Sequence, residues 1–111
     1  MFSQPSVPTV LATAVDAGGY LLDVREPDEW RVGHIPGSVH IPMSELPDRL
    51  AEVPGDQSIV VICRVGGRSA QVTGWLNAQG YDAANLDGGL LDWTAAGRPL
   101  ITDTGEPGVV S

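Results

Sequence analysis

The sequence contains no lysine, and its six arginines face 14 aspartates and glutamates, which gives a formal net charge of −8. A surface of this sign repels nucleic acid and anionic lipid, because binding to either needs a basic face. No apolar run approaches the ~20 residues that a membrane span requires, and the first residues lack the basic and apolar regions of a secretory signal. We therefore expect a cytoplasmic protein without a nucleic-acid or membrane partner.

Cysteine is nearly absent too, since the chain has one, Cys63, and cannot form an internal disulfide. One cysteine and two separated histidines show no metal-ligand spacing, so we expect no metal site. The 111 residues suffice for a single core. We expect one domain over residues 7–100, with loose ends at residues 1–6 and 101–111, which are rich in Pro, Gly, Ser and Thr.

The apolar runs predict an α/β fold. Four runs have strand character and alternate with helical patterns, as in a parallel sheet; they cover residues 20–24, 38–41, 58–63 and 83–86. The run at 58–63 has no polar alternation after its first residue, which is typical of a strand that is covered on both faces. We therefore predict that it is the central strand.

Helices are predicted between the strands from apolar spacing, prolines and glycines. They fall at residues 8–16, at 27–30 behind Pro27, at 46–53 behind a Ser44 cap, from about 68 to Gly80, and at 90–96 before Gly97. Gly88 and Gly89 are predicted to form the turn that lets the last helix pack.

The cysteine lies where the central strand runs into a short glycine-bearing loop, CRVGGRS, and then into a helix. In open parallel sheets ligands bind at this carboxyl edge. Gly66 and Gly67 allow positive φ and close backbone approach, so the following N–H groups can curl around the sulfur. Such sites lower a cysteine pKa from about 8.5 to about 3.5–7.5, and we expect Cys63 to be largely ionised at neutral pH. Arg64 and Arg68 would draw a small anionic substrate to the same place.

The residues Cys63–Ser69 resemble the active-site loop of the rhodanese-like (thiosulfate sulfurtransferase) family. The resemblance extends to LLDVREPDEW at 21–30, GHIPGSVHIP at 33–42 and LDGGLLDW at 86–93, in the family's order and spacing. It implies a three-layer fold with a five-stranded parallel sheet flanked by helices on both faces, the fifth strand lying around Val7. It also implies that Cys63 carries sulfur as a covalent persulfide without any cofactor.

By this resemblance Cys63 takes sulfur from a small anionic donor such as thiosulfate, or from a persulfide that a protein can carry, and passes it to cyanide or a thiol. Arg64 is the candidate for binding the donor's anionic end, while Arg68 either binds the anion or braces the loop through a carboxylate. Val65, Gly66 and Gly67 complete the loop, and Ser69 is expected to cap the helix. Asp23 and Arg25 are expected to orient the loop and the following turn, and His34 to be structural.

Two other functions compete with sulfur transfer. A phosphatase or arsenate reductase of the Cys-Arg loop type places five residues between its cysteine and arginine, whereas four separate Cys63 from Arg68 here. A shorter loop encloses a smaller pocket, which suits a single sulfur better than a tetrahedral phosphate. The other alternative is a non-catalytic or redox-sensing interaction module, and persulfide formation on Cys63 separates it from the enzyme.

Overall fold

Five parallel strands form the central sheet of the computed structural model, which describes residues 7–111. They are β1 (Thr9–Val10), β2 (Tyr20–Asp23), β3 (Val39–His40), β4 (Ser58–Ile62) and β5 (Asp82–Leu86), in the spatial order β1-β5-β4-β2-β3. All neighbours pair in parallel, with Val61 of β4 opposite Leu22 on one side and Asn85 on the other. The predicted α/β class and the central position of the 58–63 run are confirmed.

Side chains of β4 alternate between two buried clusters, one on each face of the sheet. Ile59 and Val61 belong to the cluster that includes Val72 and Leu76 of helix α2 (Gly67–Ala78). Ile62 belongs to the other cluster, which includes Leu90 and Trp93 of helix α3 (Gly89–Ala95). A third helix, α1 (Pro27–Val32), follows β2. Helices therefore cover both faces, and this explains why β4 is apolar after Ser58.

Glycine ends two helices as predicted. Gly80 follows α2 with φ of +93°, and Gly97 follows α3 with φ of +78°. Gly88 and Gly89 precede and open α3 with φ of +71° and +60°. These left-handed conformations cost glycine little, so the chain can turn sharply at each point.

The helix predicted at 46–53 is wrong in type, because this segment forms 3₁₀ helices at Met43–Glu45 and Pro47–Glu52. Pro47 has no N–H to donate to the carbonyl of Met43 four residues earlier. That carbonyl accepts instead from the N–H of Leu46 at 3.4 Å, in the tighter three-residue pattern. Ser44 lies inside the first 3₁₀ helix and is not a cap.

The helix predicted at 8–16 is absent, and strand β1 begins there instead. The strand is stabilised by pairing with β5, and the N–H of Asp87, directly after β5, donates to the Val10 carbonyl at 2.9 Å. Only one turn follows, in which Leu11 is 59% exposed and Val15 is buried. Pairing with β5 outweighs the local helical pattern, and the fifth strand lies two residues beyond the position predicted around Val7.

The C-terminal segment, predicted to be loose, is attached to the rest of the domain. Ile101 and His34 exchange two backbone hydrogen bonds at 2.9 Å. The N–H of Val109 donates to Val32 at 2.9 Å, and a Cβ on Gly33 would lie 2.2 Å from the Val109 carbonyl oxygen. The segment therefore packs closely on the end of α1. The prediction for residues 1–6 falls outside the described residues.

Within residues 7–111, no helix combines the length and the apolar character that crossing a membrane requires.

Candidate active site

Cys63 directly follows β4 and is 1% exposed at the carboxyl edge of the sheet. The backbone of this loop is fixed by α3, because the N–H groups of Leu90 and Leu91 donate to the carbonyls of Cys63 and Arg64 at 3.0 and 3.2 Å. A Cβ on Gly89 would lie 2.5 Å from both carbonyl oxygens. Gly89 therefore does more than turn the chain, since its missing side chain lets α3 reach the cysteine loop.

The sulfur of Cys63 accepts hydrogen bonds from two backbone N–H groups. Gly66 N lies 3.0 Å and Ser69 N lies 3.4 Å from Sγ. Donors of this kind stabilise a thiolate more than a thiol, because the anion is the stronger acceptor. Gly66 has φ of +101° and caps α2, so a positive φ is needed here as predicted. Gly67 has no positive φ and open space at its Cβ position, so the same prediction is wrong there.

Ser69 lies inside α2 and is buried, so its predicted role as the helix cap is wrong. Its hydroxyl oxygen lies 3.2 Å from the Cys63 sulfur and donates to Asn85 Oδ1 at 2.5 Å. Asn85, on β5, also donates through Nδ2 to the Gly66 carbonyl at 3.1 Å. Sequence reasoning did not single out Asn85, although a polar residue within an apolar strand is a signal that could have identified it.

Arg68 braces the loop through Glu29 of α1, one of the two roles that the sequence left open. Its two terminal nitrogens donate to the two carboxylate oxygens of Glu29 at 2.7 and 2.8 Å. These hydrogen bonds hold the pKa of Glu29 at about 2, below its usual value. They also raise the pKa of Arg68, and the negative charge of Asp23 contributes less. Glu29 was not predicted as a site residue.

Asp23 and Arg25 form a fully buried ion pair, in which Arg25 Nη2 lies 2.8 Å from Asp23 Oδ2. Arg25 also donates to the backbone carbonyls of Glu29 at 3.2 Å and Gly33 at 2.8 Å. The pair thus attaches α1 to the end of β2, and α1 in turn carries the carboxylate that holds Arg68. Neither side chain donates to the Cys63 sulfur.

Arg64 and Val65 lie on the outer side of the loop. Arg64 Nε donates to the backbone oxygen of Ser111 at 2.8 Å, which uses one of the five N–H donors of its guanidinium. Val65 is 54% exposed. The side-chain ion pairs formed within residues 7–111 do not include Arg64, whereas Arg68 is paired with Glu29.

The two histidines lie apart from the sulfur's hydrogen bonds. The ring of His34 stacks on Trp30 at 3.6 Å between centroids, and its Nδ1 lies 2.9 Å from the Trp30 carbonyl oxygen. His40 stacks on the same indole at 4.7 Å and approaches the Arg25 carbonyl oxygen at 2.8 Å. Packing of this kind agrees with a structural role for His34. In the described part of the chain, no three His, Cys, Asp or Glu side chains are grouped to hold a metal ion.

These features define an α/β domain with a buried cysteine in an amide-lined loop at the sheet edge. The family model of the rhodanese-like domain matches residues 7–96, and the chain belongs to that family. A sulfurtransferase of Allochromatium vinosum is 40% identical over 86 residues, which cover 77% of this chain and 80% of that protein. The thiosulfate sulfurtransferase GlpE of Pseudomonas paraeruginosa is 36% identical over 90 residues, covering 80% and 81%.

The fold is matched as well. The crystal structure of a rhodanese-related protein from Thermoplasma volcanium superposes with a TM-score of 0.82 at 32% identity, covering 86% of this chain and 99% of that one. The relatives and the fold together support sulfur transfer as the general activity.

Proposed function

We propose that this protein is a rhodanese-type sulfurtransferase in which Cys63 carries the transferred sulfur as a persulfide. The observation that carries the proposal is the pair of backbone N–H groups, of Gly66 and Ser69, that donate to the Cys63 sulfur. Both donors stabilise negative charge on that atom. A thiolate is the form that attacks a sulfur–sulfur bond.

The reaction proceeds in two displacements. In the first, the Cys63 thiolate attacks the outer sulfur of thiosulfate, the sulfur–sulfur bond breaks, and sulfite leaves with the electron pair of that bond. In the second, cyanide or a thiolate attacks the outer sulfur of the persulfide and releases Cys63 as a thiolate. Each step exchanges one bond to sulfur for another, so no external oxidant or reductant is consumed, and we expect ping-pong kinetics.

A persulfide borne by a small thiol or by a protein can replace thiosulfate as the donor, because the first displacement needs only an accessible outer sulfur. The acceptor is cyanide or a thiol, and cyanide is the convenient one for assay. We place this chemistry in the cytoplasm, where the glutathione pool keeps a lone cysteine reduced between turnovers.

Sulfur loading provides the first test. Incubation of the protein with thiosulfate should add one sulfur atom to its intact mass, and cyanide should remove that atom as thiocyanate. Cys63→Ser should abolish both results while leaving the fold unchanged. A protein that gains no sulfur from thiosulfate or from a persulfide, but hydrolyses an aryl phosphate, would be a phosphatase and would refute the proposal. Mixed disulfides without sulfur transfer would identify a redox sensor.

Arg64 provides the second test, because we assign it to the anionic end of the donor. Arg64→Ala should raise KM for thiosulfate far more than KM for an uncharged persulfide donor. Arg31→Ala is the matched control, since it removes an exposed arginine on α1 from the same acidic protein. Equal effects of Arg64→Ala on both donors, or an equal effect of Arg31→Ala on thiosulfate, would remove the anion-binding role.

A further inference from the structure

Asn85 is a buried polar residue of β5, 5% exposed, whose hydrogen bonds go to the cysteine loop and the start of α2. Its carboxamide reaches two groups of the loop, the Gly66 carbonyl and the Ser69 hydroxyl. Gly66 N and Ser69 Oγ in turn lie 3.0 and 3.2 Å from the Cys63 sulfur.

The donors and acceptors present fix the direction of each hydrogen bond in this network. A carbonyl can only accept, so the Gly66 carbonyl requires the NH2 group of Asn85 to face it. Asn85 Oδ1 must then face Ser69, and the Ser69 hydroxyl donates its single hydrogen to that oxygen. While Cys63 is a thiol, its S–H can donate to the free lone pair of the Ser69 oxygen.

Ionisation of Cys63 changes which acceptor the Ser69 hydroxyl prefers. The S–H bond breaks, its electron pair stays on sulfur, and the proton leaves to water, so Ser69 Oγ loses a donor. The serine hydrogen then has two competing acceptors, Asn85 Oδ1 and the sulfur anion. Because a charged acceptor forms the stronger hydrogen bond, the hydroxyl gains by turning from the amide to the sulfur.

We propose that Asn85 is a positioning residue for the reacting sulfur, acting as the competing acceptor that holds the Ser69 hydrogen while Cys63 is protonated and yields it when Cys63 ionises. The inference rests on the proposed function in taking Cys63 as the reacting atom. It adds that the readiness of this sulfur to ionise depends on a residue of a different strand, which acts on the sulfur through the Ser69 hydroxyl.

Charged residues lie on each element that neighbours the cysteine loop. They are Arg64 and Arg68 of the loop and α2, Asp23 and Arg25 at the end of β2, Glu29 of α1, Asp87 after β5, and Asp92 of α3. Substitution of Asn85 by leucine, which has a similar shape, changes none of these charges. The Gly66 carbonyl also keeps the Ala70 N–H as a donor at 3.1 Å, so it remains satisfied.

The test uses the pH profile of Cys63 alkylation by iodoacetamide. Asn85→Leu should shift the midpoint of that profile down by about half a pH unit to one unit, the size of one hydrogen bond released to the sulfur. Asn77→Leu is the matched control, since Asn77 of α2 makes two hydrogen bonds to Ala83 of β5 at 2.8 and 3.0 Å, away from the sulfur. It should lower stability and leave the midpoint unchanged.

A double-variant cycle assigns the effect to Ser69. In a Ser69→Ala background the shift caused by Asn85→Leu should vanish, because no hydroxyl remains to be released. An unchanged or raised midpoint in Asn85→Leu would overturn the proposal. So would a shift that persists without the Ser69 hydroxyl, or one that Asn77→Leu reproduces.

A measurement on the unmodified protein covers the case in which Asn85→Leu fails to fold. The side-chain carbonyl carbon of Asn85 should change its NMR shift with the midpoint of Cys63 alkylation, while that of Asn77 stays constant. A flat Asn85 response through that midpoint would overturn the proposal. Neither readout requires sulfur transfer, so a protein that fails to accept sulfur refutes the proposed function and leaves these results to decide the role of Asn85 separately.

Discussion

The ion pair between Arg68 and Glu29 should stabilise the fold in a way that disappears in acid. The perturbation is Glu29→Gln, which removes the charge but keeps an oxygen that can accept the N–H of Glu26, bonded to Glu29 Oε1 at 2.9 Å. The cap of α1 is thereby preserved. Any loss of stability then comes from the lost interaction with Arg68 and not from a weakened N-terminal cap of α1.

The magnitude follows from the pKa of Glu29, which is lowered from 4.5 to about 2, chiefly by the Arg68 hydrogen bonds and to a smaller extent by the Glu26 N–H and the charge of Arg25. Taken in full, that difference corresponds to about 3 kcal/mol. The Arg68 side chain is 37% exposed and that of Glu29 is 16% exposed, so solvent screening reduces our expectation to about 1–2 kcal/mol. The pKa is lowered in the folded state, so the stabilisation is complete above the unfolded value and is lost as the pH falls from 4.5 to about 2.

Urea unfolding at neutral pH and at about pH 3 measures this difference. Glu29→Gln should lower the free energy of unfolding at neutral pH, and the gap from the unmodified protein should narrow at the lower pH. Glu52→Gln is the matched control, because Arg49 makes a similar two-point contact with Glu52 at 2.8 and 3.0 Å, while the Glu52 side chain is 52% exposed against 16% for Glu29. An equal loss at both pH values, or an equal loss in the control, would refute the reasoning.

Three further predictions concern how the loop and the C-terminal segment are held in place. Gly89→Ala should destabilise the protein by more than about 2 kcal/mol, whereas Gly55→Ala, whose new methyl group meets open space, should leave the calorimetric midpoint of unfolding unchanged. If the two variants unfold at the same midpoint, the close approach of Gly89 to the cysteine loop is contradicted. Arg25→Met leaves a buried carboxylate without its cation and should cost about 3–5 kcal/mol in urea unfolding, and a loss near zero would show that the pair is dispensable. The N–H of Val109, bonded to the Val32 carbonyl at 2.9 Å, should exchange slowly with deuterium, as measured by mass spectrometry. Fast exchange throughout residues 101–111 would show instead that this segment is loose.

The cysteine loop could be predicted because its signals are local. An apolar strand that runs into Cys63, the left-handed Gly66 and an amphipathic helix stand next to each other in the sequence, and each constrains its neighbours. The central position of β4 followed in the same way from its apolar run. Local patterns of this kind hold where no distant segment competes with them.

The partners of the loop could not be predicted, since the topology brings them from far away in the sequence. Glu29 lies 39 residues before Arg68, and Asn85 lies 16 residues after Ser69. Apolar spacing contains no information on which carboxylate or carboxamide will face which donor. For the same reason the helix predicted at 8–16 was wrong, because β5 pairs with Thr9 and Val10 and replaces their local preference.

The two arginines of the loop differ in the partners that the fold gives them. Arg68 is neutralised by a carboxylate that α1 supplies, so its guanidinium fixes the start of α2 and has little net charge to offer a substrate. In residues 7–111, the hydrogen bond of the Arg64 side chain goes to the backbone oxygen of Ser111 at 2.8 Å. In a protein of net charge −8, we therefore expect Arg64 and the N–H groups of the loop to attract a small anion that approaches the sulfur. Because other elements hold those groups in place, negative charge arriving on the sulfur meets donors that are already oriented, and little rearrangement is needed when it develops.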